Sequence, residues 1–506
     1  MLEAQERVAE LTEAISAARL EVVKAVEATG ADENQIEIDR LVWSHAHAEA
    51  AIALLEWAQA SSDPGAAMLA DCAHRRAVSF IRSTEGSGRA GLDRQTAGIV
   101  DHLKPMEDVG ARDEHRLLRS TIRDFANREI LPHARDIHRR DSDVPEHIIS
   151  GAAGLGLFGL SVPQEFGGSQ ESEDFVSMLI VTEELSRASL GAGGSLITRP
   201  EILVRALLRG GTPEQKQQWL PAIASGDKLV AVAVTEADYG SNVAGLQCRA
   251  TRLSSGEWEI NGTKLWCTFA GRSELLMVLC RTADAGHRGL SVFVVEKPRF
   301  SGHEFEYRQP DGGILRGRAI PTIGYRGMHT FDLSFERFRL PAGALVGGEG
   351  WLNRGFYLQM EGFAVGRIQT AGRAVGLMHA ATDDTIAYAK ARVVFDKPIF
   401  ANQLIRSKIG SMVLHLNASR QLSYRAARLL DAGGGQTEAS LAKLYASRMA
   451  ESVTREAMQI YGAMGYSEET DVSRYFVDAR VLSIFEGAEE VLSLRVVARS
   501  ILESSK

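Results

Sequence analysis

Trp258-Glu259-Ile260-Asn261-Gly262-Thr263-Lys264-Leu265-Trp266-Cys267-Thr268 is the stretch whose reading decides the fold. It begins as a β-prone run and then meets Asn-Gly, the dipeptide favoured in two-residue hairpin turns because both residues tolerate positive φ. The sequence therefore predicts a hairpin turn at Asn261-Gly262. Leu229 to Val234, Leu275 to Cys280 and Leu290 to Val295 are further short β-prone runs nearby. Together they mark residues 229–347 as a β domain.

The character changes on both sides. Residues 106–228 read as a helical domain, punctuated by Gly and Pro at Val162-Pro163-Gln164-Glu165-Phe166-Gly167-Gly168. Residues 348–506 read as a C-terminal helical bundle. Residues 1–105 add an N-terminal helical extension, in which Val8, Leu11, Ile15, Ala18 and Val22 share one helix face. A second helical stretch runs from Leu41 to Trp57, and Ser83-Thr84-Glu85-Gly86-Ser87-Gly88 reads as a linker. Helix, strand and helix blocks in this order imply an α+β fold with one compact sheet.

Composition narrows the function. The 506 residues carry a net charge of −8, which argues against an electrostatic nucleic-acid binder. The four cysteines are widely spaced, form no CxxC pair and suggest neither a disulfide framework nor a zinc site, so a reducing cytoplasm suits them. No apolar run approaches the roughly 20 residues of a membrane span. The N-terminus lacks the apolar core of a signal peptide.

Some apparent motifs fail on context. Gly154-Leu155-Gly156-Leu157-Phe158-Gly159 fits G-x-G-x-x-G, but a helical stretch precedes it where a dinucleotide site needs a strand. His45, His47 and Glu49 alternate along a helix, so only His45 and Glu49 share a face; a solvated face is expected rather than a metal site. No metal ligands are assigned. Gly433-Gly434-Gly435 reads as a loop between helices.

Ile484-Phe485-Glu486-Gly487-Ala488-Glu489-Glu490 is different. Val491, Leu494, Ala498 and Ile501 follow at helical spacing, so a helix begins just after the Glu. The adjacent Gly permits a tight turn and close approach of a ligand. A carboxylate held there, with water excluded, is suited to general-base work; on these local residues alone, an acidic first helical turn, where Glu is favoured, is the preferred reading.

Five segments in order resemble the acyl-CoA dehydrogenase family, over residue 110 to the end. They are Val234-Thr235-Glu236-Ala237-Asp238-Tyr239-Gly240-Ser241-Asn242, Asn261 to Thr268, Arg392-Val393-Val394-Phe395-Asp396-Lys397-Pro398-Ile399, Gln459-Ile460-Tyr461-Gly462-Ala463-Met464-Gly465-Tyr466, and Arg474 through Phe485-Glu486-Gly487. Within the family, Gly194 to Arg199, Ile323 to Met328 and Gly366 to Ala371 are similar to the branch that acts on (2S)-methylsuccinyl-CoA. The resemblance implies a β-barrel-like central domain, FAD as cofactor, an acyl-CoA substrate and electron-transfer flavoprotein as acceptor. It also implies a homodimer or homotetramer.

Residue by residue, the resemblance makes Glu486 the base that removes the α-proton while a flavin takes hydride from Cβ. The backbone N–H of Glu486 would polarise the thioester carbonyl. Thr235, Ser241, Trp266 and Thr268 would contact the flavin or its pyrophosphate. Arg392, Phe395 and Gln403 would reach the FAD of a neighbouring subunit, with Gln459 and Gly462 on the adenine side. A dicarboxylic acyl group needs a cation to meet its free carboxylate. Arg199 is the first candidate, then Tyr325 with Arg326; Arg272 and Arg367 are others. Departures from the family pattern include Asn242, Ala463, Asp396, Ala364 and Ala488.

Overall fold

The computed structural model describes residues 2–61, 63–82, 96–100 and 112–503. The expected linker at Ser83 to Gly88 and the expected boundary at residue 105 lie outside the described residues. The chain forms two compact units, one of Met1–Asp124, Phe175–Ala188 and Arg367–Lys506, the other of Phe125–Asp174 and Ser189–Gly366.

The second unit holds the sheet. Its strands are β1 (Val230–Ala233), β2 (Arg249–Arg252), β3 (Trp258–Thr268), β4 (Leu275–Arg281), β5 (Leu290–Glu296), β6 (Glu304–Arg308), β7 (Ile314–Ala319) and β8 (Thr330–Leu340). They pair in the order β1-β4-β2-β3-β8-β7-β6, with β5 also on β4. β1 and β2 meet β4 at its two ends, and the chain leaving β1 is bonded to β3 through Leu265 N–H to Thr235 O at 2.8 Å, so the sheet curls. All of β4 is buried. Leu276, Val278 and Cys280 face a core with Phe293, Phe331 and Phe335. Leu275, Met277 and Leu279 face Leu203, Leu207, Trp219 and Ile223, from helices Thr198–Gly210 and Pro213–Ala224. Two buried faces explain an unbroken apolar run where a half-exposed strand would alternate.

The hairpin expected at Asn261-Gly262 is not there. β3 runs through it as one strand, with a register shift against β8 between Ile260 and Gly262. Gly262 has φ of +139°, and a Cβ there would lie 2.7 Å from Cys248 Cα. Asn261 Oδ1 accepts the N–H of Arg337, itself at φ +47° on β8. The positive-φ preference of Asn-Gly thus serves a bulge rather than a turn.

The first unit is helical. Its elements include α1 (Leu2–Thr29), α2 (Gln35–Ala60), α3 (Pro64–Arg82), α4 (Asp113–Phe125, whose last residue belongs to the other unit), α5 (Phe175–Ala188), the Arg367–Ala391 part of a helix begun at Gly355, α6 (Gln403–Asp431), α7 (Gln436–Tyr461) and α8 (Asp471–Leu482). Leu11 and Ile15 of the expected α1 face are buried. α2 is buried along most of its length because it packs against α1 and α3 and also against α6 and α7. The expectation of a solvated face at His45, His47 and Glu49 is therefore overturned. His47 packs on the Phe80 and Tyr445 rings, and Glu49 pairs with Arg425. Gly433 to Gly435 form the expected connection between α6 and α7. Deeper in, Arg119 of α4, Glu183 and Glu184 of α5, and Arg420 of α6 form a buried charge network. Burial pushes the Glu183 carboxyl up, but Arg119, Arg420 and His379 hold it well below the usual range.

Gly154 ends a helix (Glu146–Gly154), and Gly156 is left-handed at φ +70°. Among the described residues no strand precedes this glycine cluster, as a dinucleotide site would require.

Candidate active site

In the helical unit, α8 stops at Leu482 and the chain turns sharply. The N–H groups of Ile484 and Phe485 both donate to Val481 O. Glu486 and Gly487 then take left-handed conformations, with φ of +54° and +98°. A non-Gly residue there costs roughly 1–2 kcal/mol and persists only when neighbours fix it. Side chains of α7 do so: Lys443 Nζ donates to Gly487 O at 2.7 Å, Ser447 Oγ to Leu482 O at 3.1 Å, and Arg448 Nε to Glu489 Oε1 at 2.7 Å. The expected helix follows as a short turn (Glu489–Val491), a π turn (Leu492–Val497) and a final helix (Ala498–Glu503). The π turn rotates the apolar face, so Leu492 and Val497 are buried while Val491 and Leu494 are half-buried.

The Glu486 Oε2 is buried and hydrogen-bonded to nothing among the described residues. The Glu486 backbone N–H likewise has no acceptor among them. A buried acceptor and a donor left open together are what a ligand would satisfy.

Cations crowd this turn. Arg367 is largely buried, reaches Ser440 Oγ at 3.4 Å, and its Nε has no partner among the described residues. Burial lowers its pKa while the Glu486 carboxylate raises it. Arg373 is fully buried, donates to Thr370 Oγ1 at 2.7 Å and lies 4.6 Å over the Phe485 ring. Lys443 is fully buried; burial pushes its ammonium down to about 8, against the pull of Glu486 and Glu489. Sequence reasoning named Arg367 but missed Arg373 and Lys443.

On the same unit, Val393–Val394 and Lys397–Pro398 form a two-residue hairpin whose tip, Phe395-Asp396, has φ of +51° and +61°. Both central residues at positive φ match the favoured hairpin turn, so Asp396 stands where a Gly would be easiest. Phe395 is 93% exposed, and Arg392 beside it is exposed. Gln403, the first residue of α6, is exposed too. Gln459 and Gly462 sit at the C-terminal end of α7, Gly462 at φ +63°. The rings of Tyr388 and Tyr461 stack at 3.9 Å, tying the helix that leads into the hairpin to the turn after α7.

In the sheet unit, Lys264 is fully buried; its Nζ donates to Glu236 Oε1 at 2.8 Å and Val234 O at 3.0 Å. The Glu236 carboxylate also accepts the N–H groups of Gln247 and Cys248, at 2.6 and 2.9 Å. This pins Thr235 beside β3. A second bulge, between Lys264 and Cys267, puts Trp266 at φ +61° with its side chain 56% exposed. Thr268 is buried, its hydroxyl 3.1 Å from that of Thr330. Ser241 is exposed in the turn that follows the Glu236–Tyr239 bridge. An indole left open beside a row of hydroxyls is suited to a planar aromatic ligand with polar edges.

The arginines separate by engagement. Arg326 donates to Thr322 O and His138 O, and Arg272 to Val144 O and Glu146, so both brace backbone. Arg199 is buried 5.9 Å from the Tyr325 ring, and its Nη1 reaches Ser195 O at 3.2 Å. Tyr325 is buried at φ +58°. Elsewhere in the unit, Asp141, His303 and His329 place three potential ligand atoms within 4.8 Å of one another. His329 Nε2 is 2.9 Å from the Asp141 carbonyl and its Nδ1 is 3.0 Å from Asp143 Oδ1, so the group reads as an ion-pair latch.

Family models for the N-terminal, middle and C-terminal domains of acyl-CoA dehydrogenases match residues 112–227, 231–338 and 353–502. The (2S)-methylsuccinyl-CoA dehydrogenase of Cereibacter sphaeroides is 39% identical over 399 residues, covering 78% of this chain and 70% of its own. The chain belongs to the acyl-CoA dehydrogenase family. Among solved structures, butyryl-CoA dehydrogenase from Megasphaera elsdenii matches with a TM-score of 0.72 at 30% identity, over 78% of this chain and 100% of that one. A glutaryl-coenzyme A dehydrogenase in complex with glutaryl-CoA matches at 0.71 and 27% identity, over 78% and 97%. This acyl-CoA dehydrogenase is an FAD-dependent enzyme, and the open Trp266 indole with the Thr268 hydroxyl fits that cofactor. No described helix is long and apolar enough to cross a membrane.

Proposed function

We propose that this acyl-CoA dehydrogenase oxidises the Cα–Cβ bond of a short acyl-CoA bearing a second, free carboxylate: (2S)-methylsuccinyl-CoA to mesaconyl-C1-CoA. Electrons pass on to electron-transfer flavoprotein. The observation that carries the reading is the buried positive charge of Arg367 and Lys443 beside the Glu486 turn. A substrate carboxylate offsets the cost of burying them. The similarity to a methylsuccinyl-CoA dehydrogenase supports the same assignment.

Glu486 takes the α-proton on its unbonded Oε2, and its open backbone N–H donates to the thioester oxygen. FAD, when bound, supplies the acceptor for the hydride from Cβ. In the helical unit, Arg367, whose Nε has no partner among the described residues, meets the free carboxylate; in the sheet unit, Arg199 is the substrate-binding arginine, and Tyr325 and Arg326 shape the loop beside it. Thr235, Ser241, Trp266 and Thr268 hold the flavin and its pyrophosphate. Arg392, Phe395, Gln403, Gln459 and Gly462 serve the FAD of a neighbouring copy in a homodimer or homotetramer. An almost fully exposed Phe395 supports this, since such a ring gains from a partner's surface.

The test is anaerobic flavin reduction by methylsuccinyl-, glutaryl-, butyryl- and isobutyryl-CoA. Methylsuccinyl-CoA is expected to bleach the flavin fastest; bleaching by isobutyryl-CoA without methylsuccinyl-CoA ends the substrate assignment. Glu486→Gln is expected to keep FAD and bind substrate but to lose reduction by orders of magnitude.

A further inference from the structure

We propose that the N-terminal helical block is a clamp on the catalytic turn, with Asp39 and Trp43 of α2 as positioning residues for Glu486. The inference rests on Glu486 being the base. The family match begins at residue 112, so α1 to α3 lie outside the shared fold. Within the helical unit, α2 packs on α6, on α7 and on the π turn Leu492–Val497.

Two side-chain rungs join α2 to the segment after Glu486. In the first, the Arg448 guanidinium lies 3.5 Å over the Trp43 ring, and its Nε holds Glu489 Oε1 at 2.7 Å. In the second, Ser493 Oγ donates to Asp39 Oδ1 at 2.6 Å. Asp39 and Trp43 are four apart on α2, one turn and one face. Glu489 and Ser493 are four apart on the opposing segment, so the rungs match turn for turn. His47, a further turn along α2, packs against Tyr445 of α7 with ring centroids 5.3 Å apart.

The mechanical consequence follows from the strain at Glu486. A left-handed Glu is held only if the chain on both sides is fixed. α7 fixes the near side through Lys443 on Gly487 O and Ser447 on Leu482 O. The far side starts at Glu489 and is fixed by α7 and α2 together, through Arg448 and Ser493. Loosening the far side lets the Glu486 carboxylate drift without removing any group that binds flavin or substrate.

The experiment uses the full-length holoenzyme with Asp39→Ala, Arg448→Gln and the double variant. Asp39 is half-buried and the Arg448 side chain is 46% exposed, so folding is preserved. In stopped-flow reduction by methylsuccinyl-CoA or whichever acyl-CoA bleaches the wild type, the double variant is expected to lose roughly tenfold to a hundredfold in rate constant. Substrate Kd, FAD content and Tm stay close to wild type. Arg448→Lys, which keeps a cation over Trp43, recovers most of the rate. A wild-type rate in the double variant overturns the clamp, as does a rate loss that follows loss of FAD or of Tm. Glu486→Gln separates the two ideas: if it is inactive while the double variant is normal, the clamp alone fails. If Glu486→Gln reduces normally, base and clamp fail together.

Discussion

Lys264→Met should damage the proposed flavin cradle more than any surface change in the sheet unit. Lys264 is fully buried, with Glu236 Oε1 at 2.8 Å. At that separation and an effective dielectric near 20, the gross attraction is about 6 kcal/mol. Met fills a similar volume but leaves the Glu236 charge uncompensated and Val234 O without this donor. Glu236 still accepts the N–H groups of Gln247 and Cys248, which retain part of its solvation. The expected net cost is therefore about 3–5 kcal/mol, the range for removing one member of a buried pair. With roughly 2–4 °C per kcal/mol for a unit of this size, Tm should fall by about 6–20 °C. The loss should also reach the cofactor, because the same pair pins Thr235 to the strand carrying Trp266. Urea unfolding and FAD retention on a desalting column measure both effects. Lys264→Met with Glu236→Gln should recover about 1–3 kcal/mol, since no charge is then stranded. A single variant within about 0.5 kcal/mol of wild type, the range of inert surface changes, would refute the reasoning. So would a double variant no better than the single.

Two pH predictions carry opposite signs. Lys443 has its folded pKa depressed to about 8, so the pocket loses a positive charge as pH rises through that value. KM for methylsuccinyl-CoA should climb there while KM for butyryl-CoA does not. The same depression costs stability below about 8, so Lys443's contribution to stability should improve between there and the ordinary lysine pKa. For His329, burial lowers the pKa, but Asp143 and Asp141 raise it further, for a net increase. Its stabilising contribution is complete below the unfolded pKa near 6.5 and is lost as pH rises through the folded value. Unfolding of His329→Gln should therefore lose this step, most visibly in denaturant midpoints taken from pH 6 upward.

The order of helix and strand blocks was legible because periodicity changes at Leu229 and reverts near Leu352. Individual strands were less so. β8, Thr330–Leu340, buries Phe331, Leu333 and Phe335, then slips phase at Glu336-Arg337 before Phe338 and Leu340. The slip is the bulge opposite Gly262, and it breaks the alternation by which a strand is recognised. The Asn-Gly expectation failed for the same reason. The dipeptide reports positive φ, and only the partner strand decides whether that becomes a turn or a bulge.

Around the Glu486 turn, the sequence hid the groups that converge from afar along the chain. The neighbours of Glu486, Gly487 and the helix that follows, fit an acidic first helical turn at least as well as a base, and the ordered match of distant segments is what singled it out. Lys443 could not be singled out: it sits in Ala439-Ser440-Leu441-Ala442-Lys443-Leu444-Tyr445-Ala446, a run that reads as an ordinary buried helix with one long cation free to reach water. Here that cation is fully buried and ends on Gly487 O. Arg373 is equally silent, since nothing local marks it as stacking on Phe485. Arg326 erred the other way: beside Tyr325 it looked free to bind an anion, yet its guanidinium bonds two backbone carbonyls. A cation's use is set by which acceptors already surround it. By that measure the Nε of Arg367, without a partner among the described residues, is a stronger reason to expect an anionic acyl group than Arg326 or Arg272.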